Sequence, residues 1–194
     1  MPLFRIQKPD RQTGIAIWQM TESLESLPRP TQIDYGKYGS PHRLQEILTE
    51  YLLLQKLTGQ QGLVINHRPN GAPLVNGYHV SITHTKGWAA MMLSEDHSVG
   101  IDIEYISDRV DRITSRFLRP DEQQSTLGER LVNWCAKEAV YKYYSDLDLR
   151  FNEMRALPYC QSSSGVLVME NLRQHETVSV SYEMNQYFVL AYLR

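Results

Sequence analysis

The sequence is poor in cysteine, in long apolar runs and in any excess of one charge. Its 194 residues include two cysteines, Cys135 and Cys160, too few for a disulfide framework, so a reducing, cytoplasmic setting is the simpler expectation. No apolar run approaches the ~20 residues that a membrane span requires, and residues 88–93 are among the longest. The first ten residues are charged and carry two prolines, which reads against a signal peptide. Twenty basic and 22 acidic side chains leave a formal net charge of -2, so no basic field points to a nucleic-acid partner. Also missing are a Walker loop, a G-x-G-x-x-G turn, a G-x-S-x-G elbow and the C-x-x-C or H-E-x-x-H spacings of zinc sites. What is left is a soluble globular composition, 42% hydrophobic and 22% charged, of a length for one domain or two of roughly 100 residues.

Periodicity supplies the elements. Leu44, Ile47, Leu48, Tyr51, Leu54 and Leu57 recur at helical spacing and predict a helix over 43–57, ended by Gly59. A second helix is expected over 109–118 and a third over 129–144. Alternation predicts strands at 78–83 and 88–93, joined by a His84-Thr85-Lys86-Gly87 turn, and at 99–105. A further hairpin is expected from strands at 177–182 and 187–193. The two hairpins resemble each other: Val80-Ser81-Ile82-Thr83 matches Val178-Ser179-Val180-Ser181, and each follows a helix. The fold class expected is α+β, a pseudo-dimer of two similar halves, each a helix with an antiparallel sheet. The halves are residues 1–97 and 98–194, with a ligand cleft between them, since internal interfaces are preferred ligand sites.

Two segments carry chemistry. In the strand Val99-Gly100-Ile101-Asp102-Ile103-Glu104-Tyr105, Gly100, Asp102 and Glu104 share one face. The two carboxylates lie ~6.6 Å apart along the backbone and can converge on one ion, while Gly100 leaves room for a ligand to approach. On the third helix Leu131, Trp134, Cys135, Glu138 and Lys142 line up, so a Glu–Lys pair continues a largely apolar stripe. Three acids and a lysine suit a hard cation and a phosphate; Mg²⁺ takes oxygen ligands. A further feature is the basic series Arg109, Arg112, Arg116 and Arg119, which reads either as a solvated helix face or as a dock for an acidic helix.

The strand motif, followed about thirty residues later by Trp134-Cys135-Ala136-Lys137-Glu138-Ala139-Val140-Tyr141-Lys142, resembles the two-part signature of the 4′-phosphopantetheinyl transferases. Ser81 to Thr85, Asn70 to Leu74 and Phe117 to Glu122 resemble further family segments. The resemblance implies the larger, two-lobed type of that family, a holo-acyl-carrier-protein synthase activity. The 4′-phosphopantetheine arm of coenzyme A would pass to a serine of an apo acyl or peptidyl carrier protein, with release of 3′,5′-ADP. It implies Mg²⁺ on Asp102, Glu104 and Glu138, with Lys142 and Lys137 neutralising the pyrophosphate. It makes Glu138 the acceptor of the serine proton, with Asp102, Glu138 and Lys142 as the catalytic set. Arg43, Thr83 and His84 would join Lys137 and Lys142 in binding coenzyme A. The chain departs from the pattern at Ala72, at Glu50-Tyr51 and at Arg119; Lys37, His42 or Lys86 could compensate for the missing cations. A monomer is expected, without nucleic-acid or membrane partners. Two other readings stand beside this one. A non-catalytic coenzyme A or carrier-protein binder would not need clustered metal ligands. A Mg²⁺ nuclease would need Glu and Lys two apart on a strand, whereas Glu138 and Lys142 are four apart on a helix.

Overall fold

The computed structural model describes residues 2–194, which fall into two compact units, one ending at Ser98 and the other beginning at Val99. Both are α+β.

In the first unit four antiparallel strands lie in the order β1-β2-β6-β5: β1 (Leu3–Gln7), β2 (Thr13–Gln19), β5 (His79–Thr85) and β6 (Trp88–Ser94). A small separate hairpin, β3 (Asn66–His67) with β4 (Pro73–Leu74), precedes β5 in the chain. Helix α1 (Pro41–Thr58) packs on β2 and β6. Its limits are local: the Ser40 hydroxyl accepts the Arg43 N–H, Pro41 opens the first turn, and Gly59 closes it at φ 69° with its N–H on the Gln55 carbonyl. The chain thus adds cap residues to the stretch that periodicity alone predicts. The β5–β6 connection is tighter than expected. His84 and Thr85 are paired strand residues, opposite Ala89 and Trp88, and only Lys86-Gly87 turns the chain.

The N-terminal hairpin β1–β2 has no counterpart in the periodicity reading. Its signal was present: Gly14-Ile15-Ala16-Ile17 in β2 repeats the Gly100-Ile101-Asp102-Ile103 pattern.

The second unit is a five-stranded antiparallel sheet in the order β7-β11-β10-β9-β8. The strands are β7 (Gly100–Tyr105), β8 (Met154–Ala156), β9 (Ser164–Asn171), β10 (Glu176–Met184) and β11 (Phe188–Leu193). Helix α3 (Leu127–Tyr143) lies across it, contacting β7 and β11 most. A capping box fixes its start. The Thr126 hydroxyl accepts the Glu129 N–H at 3.1 Å, and the Glu129 carboxylate accepts the Thr126 N–H at 2.9 Å. Leu131, Val132, Cys135, Ala136, Ala139 and Val140 are buried in one core with Leu167, Met169, Val180, Val189 and Ala191. The single helix expected over 109–118 is instead a 3₁₀ turn at Asp108–Arg112 followed by one α-turn, α2 (Thr114–Phe117). Ile113 sits between them at φ -118°, outside helical geometry, so the four arginines do not form one continuous helix face.

Gly100 has a role other than the one expected. A Cβ built there would lie 2.1 Å from the Ala139 carbonyl oxygen of α3. The space is filled by the helix backbone, not left for a ligand. Glycine is what lets strand and helix approach closely.

Candidate functional site

Because Gly100 brings α3 down onto β7, the side chains that follow on the same strand face meet the helix. Lys142 Nζ donates to Asp102 Oδ1 at 2.7 Å and to the Ile101 carbonyl at 3.1 Å. Trp134 Nε1 donates to Glu104 Oε1 at 2.9 Å. Glu138 lies between Trp134 and Lys142 on the helix. The two segments expected to carry chemistry therefore do face each other, with Asp102 buried and Glu104, Glu138 and Lys142 partly so.

The electrostatics of this face are those of crowded acids. The Glu138 carboxyl is pushed up from its ordinary 4.5 to about 7 by burial first, and then by the negative charges of Asp102 and Glu104; Lys142 pulls the other way. Cys135, on the sheet side of the helix, is pushed up by burial and by the same two carboxylates. Three oxygen-donor acids that repel one another are a donor set suited to a hard divalent cation. Yet among the described residues no three His, Cys, Asp or Glu side chains already stand together as a metal-binding group. Asp102 is engaged with Lys142 and Glu104 with Trp134, so Asp102, Glu104 and Glu138 share a face without forming a closed ligand shell.

Glu138 also lines a cleft of about 720 Å³, with Tyr141 from α3. One wall of the cleft is Ser115 to Pro120, and the other is Leu149 to Asn152. Arg116, Arg119 and Arg150 give it a basic lining beside the acid. Arg119 also pairs with Asp121 at 2.9 Å and donates to the Asn152 carbonyl, bridging the walls.

Lys137 does not belong to this surface. Its side chain and that of Glu122 are both fully buried, 2.6 Å apart. Lys137 Nζ also donates to the carbonyls of Phe117 at 2.6 Å and Phe151 at 3.4 Å. Glu122 further accepts from the N–H groups of Arg119 and Ala156 at 2.9 and 2.7 Å and from Asn133 Nδ2 at 3.3 Å. An ammonium spent in this way cannot reach a pyrophosphate. The expectation that Lys137 binds coenzyme A is corrected: it pins the two cleft walls to α3. Burial pushes its pKa down while Glu122 opposes that shift.

In the first unit, Arg43 and His84 share Glu50, the residue that looked like a departure in the sequence. His84 Nε2 is 2.7 Å and Arg43 Nη1 3.6 Å from Glu50 Oε1, and the Glu50 side chain is 3% exposed. Arg43 also reaches Glu46 at 2.8 Å. Thr83 is buried. Tyr51, the other departure, uses its hydroxyl to accept the Ile65 N–H at 3.2 Å. Ala72 stands in the exposed turn of the small β3–β4 hairpin.

Residue patterns missed Glu50 and Glu122 as organisers. Glu122 was visible as the last residue of the Phe117 to Glu122 segment, but its partner was not, because 15 residues separate it from Lys137.

Strand β7 and helix α3 thus present acidic and basic side chains on one shared face. Residues 98–192 match the family model of the 4′-phosphopantetheinyl transferase superfamily. The C-terminal unit is thus a domain of that superfamily, a family of transferases. A comparison with curated proteins finds no match. Among the described residues no helix is long and apolar enough to cross a membrane.

Proposed function

We propose that the protein transfers the 4′-phosphopantetheine arm of coenzyme A to a serine of an apo acyl or peptidyl carrier protein, as a holo-acyl-carrier-protein synthase does, releasing 3′,5′-ADP. The observation that carries this reading is the meeting of Asp102 and Glu104 on β7 with Glu138 and Lys142 on α3, inside the domain that matches the family. Asp102, Glu104 and Glu138 would hold Mg²⁺. When bound, the ion would neutralise charge on pyrophosphate oxygens.

The chain's own residues do the rest. Lys142, 2.7 Å from Asp102, would neutralise charge that develops on the pyrophosphate as 3′,5′-ADP leaves. Glu138 would receive the serine proton, directly or through a water. The partner's serine is the nucleophile, so the chain needs none. Positioning and electrostatics then supply most of the acceleration. Arg43 and His84, organised by Glu50, with Thr83 beside them in the strand, would bind the nucleotide end of coenzyme A. The arginines at 112 and 116 are exposed and would steer an acidic carrier surface. We further propose a monomer working in the cytoplasm.

The pseudo-dimer belongs to the same proposal, with halves at 1–97 and 98–194. Its support is the topology within each unit. A strand leads to a helix and then to a hairpin whose second strand pairs with the first: β2, α1, β5, β6 in one unit and β7, α3, β10, β11 in the other. The Gly-Ile-x-Ile pattern begins β7 and follows Thr13 in β2. Ala16 and Trp18 stand where the second copy has Asp102 and Glu104, so only the second copy carries the acids.

The test is to mix the protein with coenzyme A, Mg²⁺ and an apo carrier protein and to weigh the carrier, with EDTA as the control. A Mg²⁺-dependent gain of one phosphopantetheine is expected. No gain on fatty-acid or peptide carriers, with coenzyme A still bound by calorimetry, would replace this reading with the non-catalytic binder.

A further inference from the structure

Trp134 is placed by more than packing. Its ring lies against Phe117 and Phe151, with centroid separations of 5.1 Å to each and interplanar angles of 59° and 40°. The indole N–H is a donor only. With the ring held on both sides, that donor is aimed, and its acceptor is Glu104 Oε1 at 2.9 Å. The flanking rings are themselves fixed at the backbone. The carbonyls of Phe117 and Phe151 are two of the groups that Lys137 Nζ holds, and Lys137 is locked against buried Glu122. One buried ammonium thus sets the backbone of both residues whose rings grip the indole.

We propose that Trp134 is a positioning residue for Glu104. Its N–H orients the Glu104 carboxylate for a divalent cation, and the Phe117–Phe151 clamp anchored by Lys137 sets where the indole stands. The proposal rests on the reading above that Glu104 is a cation ligand. Outer partners of metal-binding side chains commonly govern affinity by about 10–100-fold. A purely structural tryptophan would not.

The experiment titrates Mn²⁺ alone into the full chain and reads the free ion by electron paramagnetic resonance. Trp134→Phe keeps a ring in the clamp and removes the donor, and it should weaken binding about tenfold. In a Glu104→Ala background the same change should cost almost nothing more, because the group it orients is gone. Equal binding by Trp134→Phe and wild type would overturn the proposal. So would a tenfold loss in both backgrounds, since the indole would then act by packing.

A second readout needs neither metal nor the Trp134 variant. Of the three indole N–H resonances expected for Trp18, Trp88 and Trp134, one should move on Glu104→Ala. If none moves, the link between Trp134 and Glu104 is refuted. A wild-type chain that binds no Mn²⁺ but shows that movement would defeat the metal role of Glu104 and, with it, the positioning of a ligand. The hydrogen bond itself would stand.

Discussion

Glu138→Gln tests the electrostatics of the site without reference to any substrate. The carboxyl titrates at about 7 in the folded chain against 4.5 ordinarily, because burial and the charges of Asp102 and Glu104 disfavour its ionised form. A raised folded pKa means that the folded state holds the proton more tightly than the unfolded state. The resulting stability is fully present below the unfolded value of 4.5 and is lost as pH rises through about 7. Each tenfold difference in proton affinity between the two states is worth ~1.4 kcal/mol, so the ionised Glu138 costs the fold up to about 3 kcal/mol at pH 8. Glutamine has the same shape and no charge. The variant should therefore be close to wild type in stability at pH 4.5 and more stable by about 2–3 kcal/mol at pH 8. Urea unfolding in EDTA at several pH values, followed by tryptophan emission, reads the difference. Mg²⁺ added at pH 8 should close the gap by stabilising wild type alone. A difference that does not change with pH, or a variant less stable than wild type at pH 8, would refute the reasoning.

Further outcomes follow from the geometry. Gly100→Ala should destabilise the chain by about 3 kcal/mol or more, because the new Cβ would lie 2.1 Å from the Ala139 carbonyl and β7 must move off α3; thermal unfolding checks this, and a shift under a degree would contradict it. Lys137→Met strands the buried Glu122 and should cost about 3–5 kcal/mol, while the double variant with Glu122→Met should cost less than the two single changes summed yet stay below wild type, because the Arg119, Ala156 and Asn133 donors lose their acceptor. Denaturant midpoints of the three variants measure this, and additivity would count against the pair. Asp102→Ala should abolish Mg²⁺-dependent transfer with circular dichroism unchanged, and a near-normal rate would remove Asp102 from the site. Reversing Arg112 and Arg116 to Glu should slow transfer to carrier protein with coenzyme A affinity intact; unchanged transfer would reject docking at that surface.

Some of this was legible in residue patterns because it is encoded locally. Helix α1 is marked by its apolar spacing and by Gly59. Strand β7 is marked by its alternation, and the helix α3 motif by Trp134, Glu138 and Lys142. Arg109 to Leu118 looked equally periodic, yet the chain breaks at Ile113. Ten residues of spacing do not outweigh where Val110 and Phe117 must go to be buried. The β1–β2 hairpin escaped because β2 is buried along nearly its whole length. A continuous apolar run carries no period that separates a strand from a buried helix.

The sequence by itself determined the chemistry on offer: three carboxylates and a lysine, on one strand and one helix, with no competing nucleophile or zinc pattern. Only tertiary structure decided which of those charges are free to act. Lys137 and Lys142 look interchangeable in the motif. They lie five residues apart, which on a helix of 3.6 residues per turn places them on different faces. Lys142 therefore meets Asp102 at the edge of the site, and Lys137 turns into the core. There, away from water, its ammonium must find carbonyls and a carboxylate within reach, and these come from segments distant in the chain.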